Sequence, residues 1–366
     1  MKKMNLIKKG LCACLAGVML LGLTACGGET AAEETTSSEE VTENTEAEVV
    51  DPVTIRLAAL KGPTAMGLVQ LLDRFGVAPA VQEEPVAVGE LESAEGETGV
   101  YDCAAILAAS ADEVNPLLIS GDLDVACVPA NVASVLYNKT EGQIVTLGIN
   151  TLGVIYIVEN GDTLQSFADL KGKTIVAAGK GQTPEYGLRY LLAQNGIDPD
   201  NDVTIEWKSE HSECVAALAS GAATIAMIPQ PFVTVAQGKV EGLRVALDLT
   251  AEWDALDNGS AMITGVVVAR KAFVEENPEA IAAFMEDYAA SVEWVNANNA
   301  DAAALIGGYG IVDAAVAEKA LPHCNIVCIT GSEMQDKLSG YLNVLAEQNP
   351  QAVGGQAPAD DFYYVG

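Results

Sequence analysis

Two short segments place glycine, proline and hydrogen-bonding side chains directly after an apolar run: Lys61-Gly62-Pro63-Thr64 and Gly181-Gln182-Thr183-Pro184. Pro63 and Pro184 each suit the first residue of a helix, where a missing N–H costs nothing, and Thr183 then suits the cap of the second helix. A helix start offers unpaired N–H groups and partial positive charge, which favour a carboxylate, a sulfonate or another anionic group. Thr183-Pro184 is equally readable as a plain helix cap. Two further loops, Pro129-Ala130-Asn131 and Gln230-Pro231-Phe232, carry a carboxamide that both donates and accepts, suited to orienting a polar ligand. Lys61 is the cation of the first of these loops and Lys180 stands beside the second. None of them contains Arg, so a bidentate clamp on a carboxylate is not evident. Ser209-Glu210-His211 ends another strand-like run and is open to two readings, cleft or surface. Phe232, Tyr156, Trp207 and Trp253 are available either to stack on a ring or to fill the core.

Other chemistries are poorly provided for. Only His211 and His323 exist, which speaks against a histidine metal centre or a hydrolytic triad. After Cys26 five cysteines remain, Cys103, Cys127, Cys214, Cys324 and Cys328. An odd number leaves at least one thiol free, and no CxxC or His-paired spacing suggests zinc. Neither a metal nor a cofactor is expected.

The elements that must position these loops alternate. Val53, Ile55, Leu57 and Ala59 read as a strand, and Leu68, Leu71, Leu72 and Phe75 then fall on one face of a helix starting at Pro63. Further strand-like runs are 123–128, 143–149, 153–158, 174–178, 203–207, 223–228, 243–248 and 262–269. Helical stretches between most of them predict parallel sheets in an α/β architecture. Two long helices close the chain, at about 278–298 and 333–346. The run Ile119-Ser120-Gly121-Asp122-Leu123-Asp124-Val125-Ala126-Cys127-Val128-Pro129 is echoed by Ala219-Ser220-Gly221-Ala222-Ala223-Thr224-Ile225-Ala226-Met227-Ile228-Pro229. Both read as helix end, glycine, strand and proline-containing loop, which predicts two lobes of similar construction.

Ahead of these elements stand Lys2, Lys3, Lys8 and Lys9, then an apolar stretch from Leu11 to Leu23 too short to remain as a membrane span, then Leu23-Thr24-Ala25-Cys26. This arrangement resembles the lipobox of bacterial lipoproteins. The resemblance implies that residues 1–25 are a cleaved signal peptide and that Cys26 is diacylated (palmitate), tethering the protein to the extracytoplasmic face of the cell membrane. Residues 26–52 carry nine Asp or Glu and no Lys or Arg, so they are expected to be an extended acidic linker. In the body from Val53 onward, 15 basic against 42 acidic side chains leave a charge of −27. A surface this negative repels nucleic acid and anionic lipid, so membrane contact is expected only through the Cys26 lipid.

With these residues in view, the chain is similar to substrate-binding proteins of ABC importers, in the group built like the nitrate, sulfonate and taurine receptors and the thiamine-precursor binding proteins. The resemblance lies in Leu60 to Thr64, Gly121-Asp122-Leu123-Asp124-Val125-Ala126, Pro129-Ala130-Asn131, Asp169-Leu170-Lys171-Gly172-Lys173, Gly179 to Pro184 and Ile228 to Phe232, and runs on to Phe362-Tyr363-Tyr364. It implies a type 2 periplasmic-binding fold, two α/β lobes joined by two crossovers with ligand in the cleft. Lobe one would be 53–149 plus 263–366 and lobe two 150–262, with a hinge at Gly148-Ile149-Asn150-Thr151-Leu152-Gly153. The ligand-binding set expected is Lys61, Gly62, Pro63, Thr64, Pro129, Ala130, Asn131, Asn150, Thr151, Gly181, Gln182, Thr183, Pro184, Gln230 and Pro231. The implied partners are a small polar or anionic organic solute, sulfonate-like or a vitamin-precursor heterocycle, and a membrane permease, with the protein a monomer. Two other roles use the same fold: a pyrimidine-precursor or menaquinone-pathway enzyme, against which the export signal argues, and a signalling receptor that does not transport.

Overall fold

The computed structural model describes residues 52–77 and 100–366. The expected signal peptide, Cys26 and the acidic linker, apart from Pro52, lie outside them. Eleven strands are present among the described residues. In chain order these are β1 (Val53–Leu60), β2 (Tyr101–Ala108), β3 (Val125–Pro129), β4 (Ile144–Leu152), β5 (Ile155–Glu159) and β6 (Thr174–Ala178). They continue with β7 (Thr204–Lys208), β8 (Ile225–Pro229), β9 (Arg244–Asp248), β10 (Ile263–Arg270) and β11 (Ile326–Ile329).

They form two sheets, one ordered β11-β4-β10-β3-β1-β2 and the other β7-β6-β8-β5-β9, each the centre of a lobe. The internal echo has a structural counterpart. β3 lies between parallel β1 and antiparallel β10, while β8 lies between parallel β6 and antiparallel β5. The glycines before them, Gly121 and Gly221, have φ of 84° and 73°, turning the chain from helix into strand. Central strands are buried and mainly apolar (all five residues of β5 are buried, Glu159 among them), as two covered faces require. Two strands, β2 and β11, have no counterpart in the sequence reading. Tyr101–Ala108 alternates poorly and Ile326–Ile329 is only four residues long.

The chain crosses between sheets twice. β4 continues through Leu152, so Asn150 and Thr151 belong to the first sheet and the outward crossing is Gly153-Val154, at the far end of the expected Gly148–Gly153 segment. The glycines there answer to packing. A Cβ on Gly153 would collide with Thr250 Oγ1, and one on Gly148 would press on the Ile329 carbonyl at 3.2 Å. The return crossing leads into β10 at Ile263.

The helix expected from Pro63 is split into Pro63–Met66 and Val69–Arg74. Ser291, on the helix Pro278–Ala297, inserts its hydroxyl at the break. Its Oγ donates to the Gly67 carbonyl at 2.7 Å and accepts the Leu71 N–H at 3.1 Å, replacing a turn of helical bonding. Leu68, Leu71, Leu72 and Phe75 are buried all the same. The last long helix, Gly331–Gln348, buries Met334, Leu338, Tyr341, Leu342 and Leu345 on one face. These residues belong to a hydrophobic core that contains Val128 and Ile149 of the first sheet as well as Ile157 and Ile175 of the second. No helix among the described residues is long and apolar enough to cross a membrane.

Candidate functional site

A cavity of about 820 Å³ opens between the lobes, at the edge where parallel strands end. Leu60, Pro129 and Pro229, at the carboxyl ends of β1, β3 and β8, line it. Ile155 and Thr264 reach the same edge because β5 and β10 run antiparallel to their neighbours and therefore begin where the others finish. Helices follow the parallel strands, so their first turns converge on the cavity. Pro63, Ala111, Asn131, Thr183, His211 and Phe232 each lie within the first two residues of a helix and line the wall. Summed helix dipoles direct partial positive charge at this space, which carries no Asp or Glu among its lining residues.

Ten of the expected binding residues line the cavity: Lys61, Gly62, Pro63, Pro129, Asn131, Gln182, Thr183, Pro184, Gln230 and Pro231. Gly62 sits at φ 141°, a conformation open essentially to glycine, and brings bare backbone to the wall. Five expected residues stand behind it. Thr64 is buried and its hydroxyl donates to the Leu60 carbonyl at 3.1 Å, while Ala130 is buried at its helix start. Asn150 donates to the Thr64 carbonyl at 3.2 Å and accepts from Thr151 Oγ1 at 3.0 Å, so both are committed to the packing of β4. Gly265 has no side chain because Asn150 Oδ1 and Thr64 Cγ2 fill that space. Gly181 points away from the cavity, its N–H bonded to Glu185 Oε2 at 2.6 Å and its carbonyl accepting from Tyr186.

Thr183 is the first residue of its helix, and Gln182, not Thr183, occupies the cap position. Its hydroxyl crosses the cleft instead, donating to Asn131 Oδ1 at 3.2 Å. Two residues selected independently from loops 52 positions apart thus meet from opposite lobes. The Asn131 amide also donates to the Ala352 carbonyl at 3.4 Å. Gln230 is 3% exposed, and its Oε1 accepts from both the N–H and the hydroxyl of Thr234 at 3.3 and 3.0 Å. With the carbonyl end engaged, its NH₂ remains for a ligand. The Lys61 ammonium is exposed at the rim.

His211 lines the cavity, and burial lowers its pKa below the ordinary imidazole value. Its Nδ1 is buried without a partner, and its ring lies 5.4 Å from that of Phe232. Glu210 is no proton-transfer partner for it. The carboxylate caps its own helix in a reciprocal box with Glu213 and accepts from Ser212 Oγ at 3.0 Å. Phe232 reaches the cavity, but Tyr156 and Trp253 are core residues, bonded to the His323 carbonyl at 2.8 Å and to Ser260 Oγ at 2.9 Å. A second chamber of about 550 Å³ adjoins the first and shares Gln182, His211 and Phe232 with it.

Ser110 and Ala111 also line the cavity and were not foreseen, because they follow β2, the strand that lacks alternation. The same strand-end logic finds them once β2 is known. Ile311 and Val312 arrive from a turn far along the chain and carry no local signal. Among the described residues no group of three or more His, Cys, Asp or Glu is arranged to hold a metal ion. The five cysteines among the described residues are free and none lines either chamber, and burial pushes the Cys103, Cys127 and Cys324 thiols up to about 12.

Residues 91–321 match the protein family described as ABC transporter, phosphonate, periplasmic substrate-binding protein. The chain belongs to that family. As a substrate-binding component of an ABC transporter, it is a member of a family of binding proteins rather than of enzymes. The fold agrees with solved structures. An ABC transporter protein from Parabacteroides distasonis is 21% identical with a TM-score of 0.67, the match covering 85% of this chain and 99% of that one. The periplasmic aliphatic sulphonate binding protein SsuA from Escherichia coli is 18% identical with a TM-score of 0.62, covering 86% and 92%. The alkanesulfonate-binding protein SsuA from Xanthomonas axonopodis pv. citri, bound to MOPS, is 16% identical with a TM-score of 0.55, covering 86% and 97%. No curated protein matches the sequence.

Proposed function

We propose that this protein captures a small polar or anionic organic solute outside the cell, between its two lobes, and delivers it to a membrane permease. The observation that carries this reading is the convergence of helix starts from both lobes on one cavity free of carboxylates, with the Lys61 ammonium and the Gln230 NH₂ at its wall. Desolvated N–H groups and a single flexible cation favour a sulfonate, phosphonate or carboxylate over a cation. A vitamin-precursor heterocycle is the neutral alternative, with Phe232 as its stacking surface. The lobes close on the solute, Cys26 carries the lipid that holds the protein on the extracytoplasmic face, and the protein works as a monomer.

A thermal-shift screen of sulfonates, phosphonates, carboxylates and pyrimidine-type heterocycles tests this directly. A ligand present at 100 times its Kd stabilises the folded form by about 2.7 kcal/mol, so one class should raise the melting temperature clearly. If no class does so at millimolar concentration, solute capture in this cleft is wrong. Mass spectrometry of membrane-extracted protein tests the tether separately: an unmodified Cys26 or an intact residue 1–25 segment sinks it.

A further inference from the structure

The two chambers differ in chemistry. The smaller is polar and cationic, with Lys180, Lys208, Ser209 and Ser212 on its wall; its one carboxylate, Glu210, is turned back to cap a helix. Lys208 is paired with Glu206 on its own strand at 3.6 Å, and Lys180 has no ion-pair partner among the described residues. The larger chamber is walled mainly by apolar groups, among them Val154, Ile155, Val235, Ile311 and Val312. Ile311 and Val312 pack from behind against the core of lobe one, which fixes them as a rigid surface. His211 and Gln182 stand where the chambers join, and the buried Nδ1 of His211 lacks a partner. The joined walls hold Lys61, Lys180 and Lys208 against Glu210 alone, whereas the body carries nearly three acidic side chains for each basic one. A positive enclave in so acidic a molecule is a binding feature, because chance placement of charges would give the opposite sign.

We propose that the solute is an elongated organic oxyanion without an amine, lying across both chambers. Its head sits in the smaller chamber between Lys180 and Lys208, with His211 and Gln182 at the neck. Its apolar body fills the larger chamber against the Ile311-Val312 turn. This rests on the reading that the cleft captures a small solute, and it narrows that solute's class. Size points the same way, since a cavity of about 820 Å³ is far larger than a one- or two-carbon anion requires, and pockets of this order hold drug-sized molecules. The absence of carboxylates in the larger chamber leaves an ammonium group there uncompensated.

Titration calorimetry on the full body, with a melting curve for every variant, tests the assignment. The probes are inorganic sulfate and phosphate, a series of straight-chain alkanesulfonates and alkylphosphonates, and aminoalkyl analogues of matched length. Affinity should rise about fourfold per added methylene until the chamber is full, and an amine on the tail should cost at least tenfold. Lys180→Met with Lys208→Met should weaken the best alkyl anion at least tenfold without lowering the melting temperature. Val312→Thr should flatten the chain-length dependence. Retained affinity in the double lysine variant, or equal binding of amine and alkyl probes, overturns the proposal while leaving capture in the cleft intact. Binding of a neutral heterocycle with none of the anions overturns it too. The broader reading fails separately, if neither these anions nor any heterocycle binds the body at millimolar concentration.

Discussion

At the scale of single residues, the cleft depends on which end of each polar group is already engaged. Gln230 spends its carbonyl oxygen on Thr234, which fixes the rotamer and presents the NH₂ to the cavity. Losing a buried hydrogen bond costs roughly 1–3 kcal/mol. Gln230→Leu should therefore weaken solute binding about 5- to 150-fold in calorimetry. His211 offers a second test through pH. Burial disfavours its charged form, so its folded pKa lies below the unfolded value of about 6.5. As pH falls through about 6.5 the unfolded chain takes up a proton that the folded ring refuses, so this contribution is present above that pH and lost below it. Melting temperatures measured from neutral to mildly acidic pH should fall less steeply for His211→Gln than for the parent. An anionic solute beside Lys180, Lys208 and the ring, with Glu210 engaged in its cap, should reverse the trend by favouring imidazolium. Affinity for an anion should then rise on acidification, and an affinity that is flat with pH in the parent contradicts this placement.

At the scale of elements, the first lobe is stapled at the edge remote from the cleft. Asp124, fully buried ahead of β3, accepts from the Arg56 guanidinium at 2.7 Å through both oxygens and from Arg270 at 2.6 Å. It thereby ties β1, β3 and β10 together before they diverge toward their loops. Removing the carboxylate leaves the Arg56 N–H and two half-buried guanidiniums without their acceptor, at roughly 1–3 kcal/mol. Asp124→Ala should lower stability by that order in denaturant unfolding, whereas the same substitution at exposed Asp122 should change little. Equal effects at the two sites would refute the staple. The Ser291 insertion is a second such device. It halts one helix and starts another, and so fixes where the Pro63 turn faces the cavity.

At the scale of the whole molecule, two lobes share a core through the helix Gly331–Gln348, whose Tyr341 packs edge-on against Trp253 of lobe two at 5.5 Å. We place the closing motion at Gly153-Val154 and just ahead of Ile263, where the sheets end, while that helix holds the lobes together from lobe one. The Thr183–Asn131 hydrogen bond already spans the cleft. Solution scattering should show a smaller radius of gyration with a bound solute, and hydrogen exchange should slow near both crossings. Thr183→Val should shift the unliganded protein toward the more extended form. An unchanged scattering profile with a confirmed ligand bound rules the motion out.

The sequence by itself determined the alternation of strand and helix, the pairing of β3 with β8 as equivalent positions, and the loops that meet at the cleft. Those features are local: apolar periodicity, a glycine turning helix into strand, and a proline at a helix start leave their mark within a few residues. What only the tertiary structure decided is which members of each loop face the ligand. Thr64, Asn150 and Thr151 have the same donors as Thr183 and Gln230, yet they are bonded to one another because β10 passes against them at Gly265. Ile311, Val312 and Ser110 join the wall only because distant segments fold beside it. A side chain's donors are written in its type; whether they are spent inside the protein depends on neighbours hundreds of residues away.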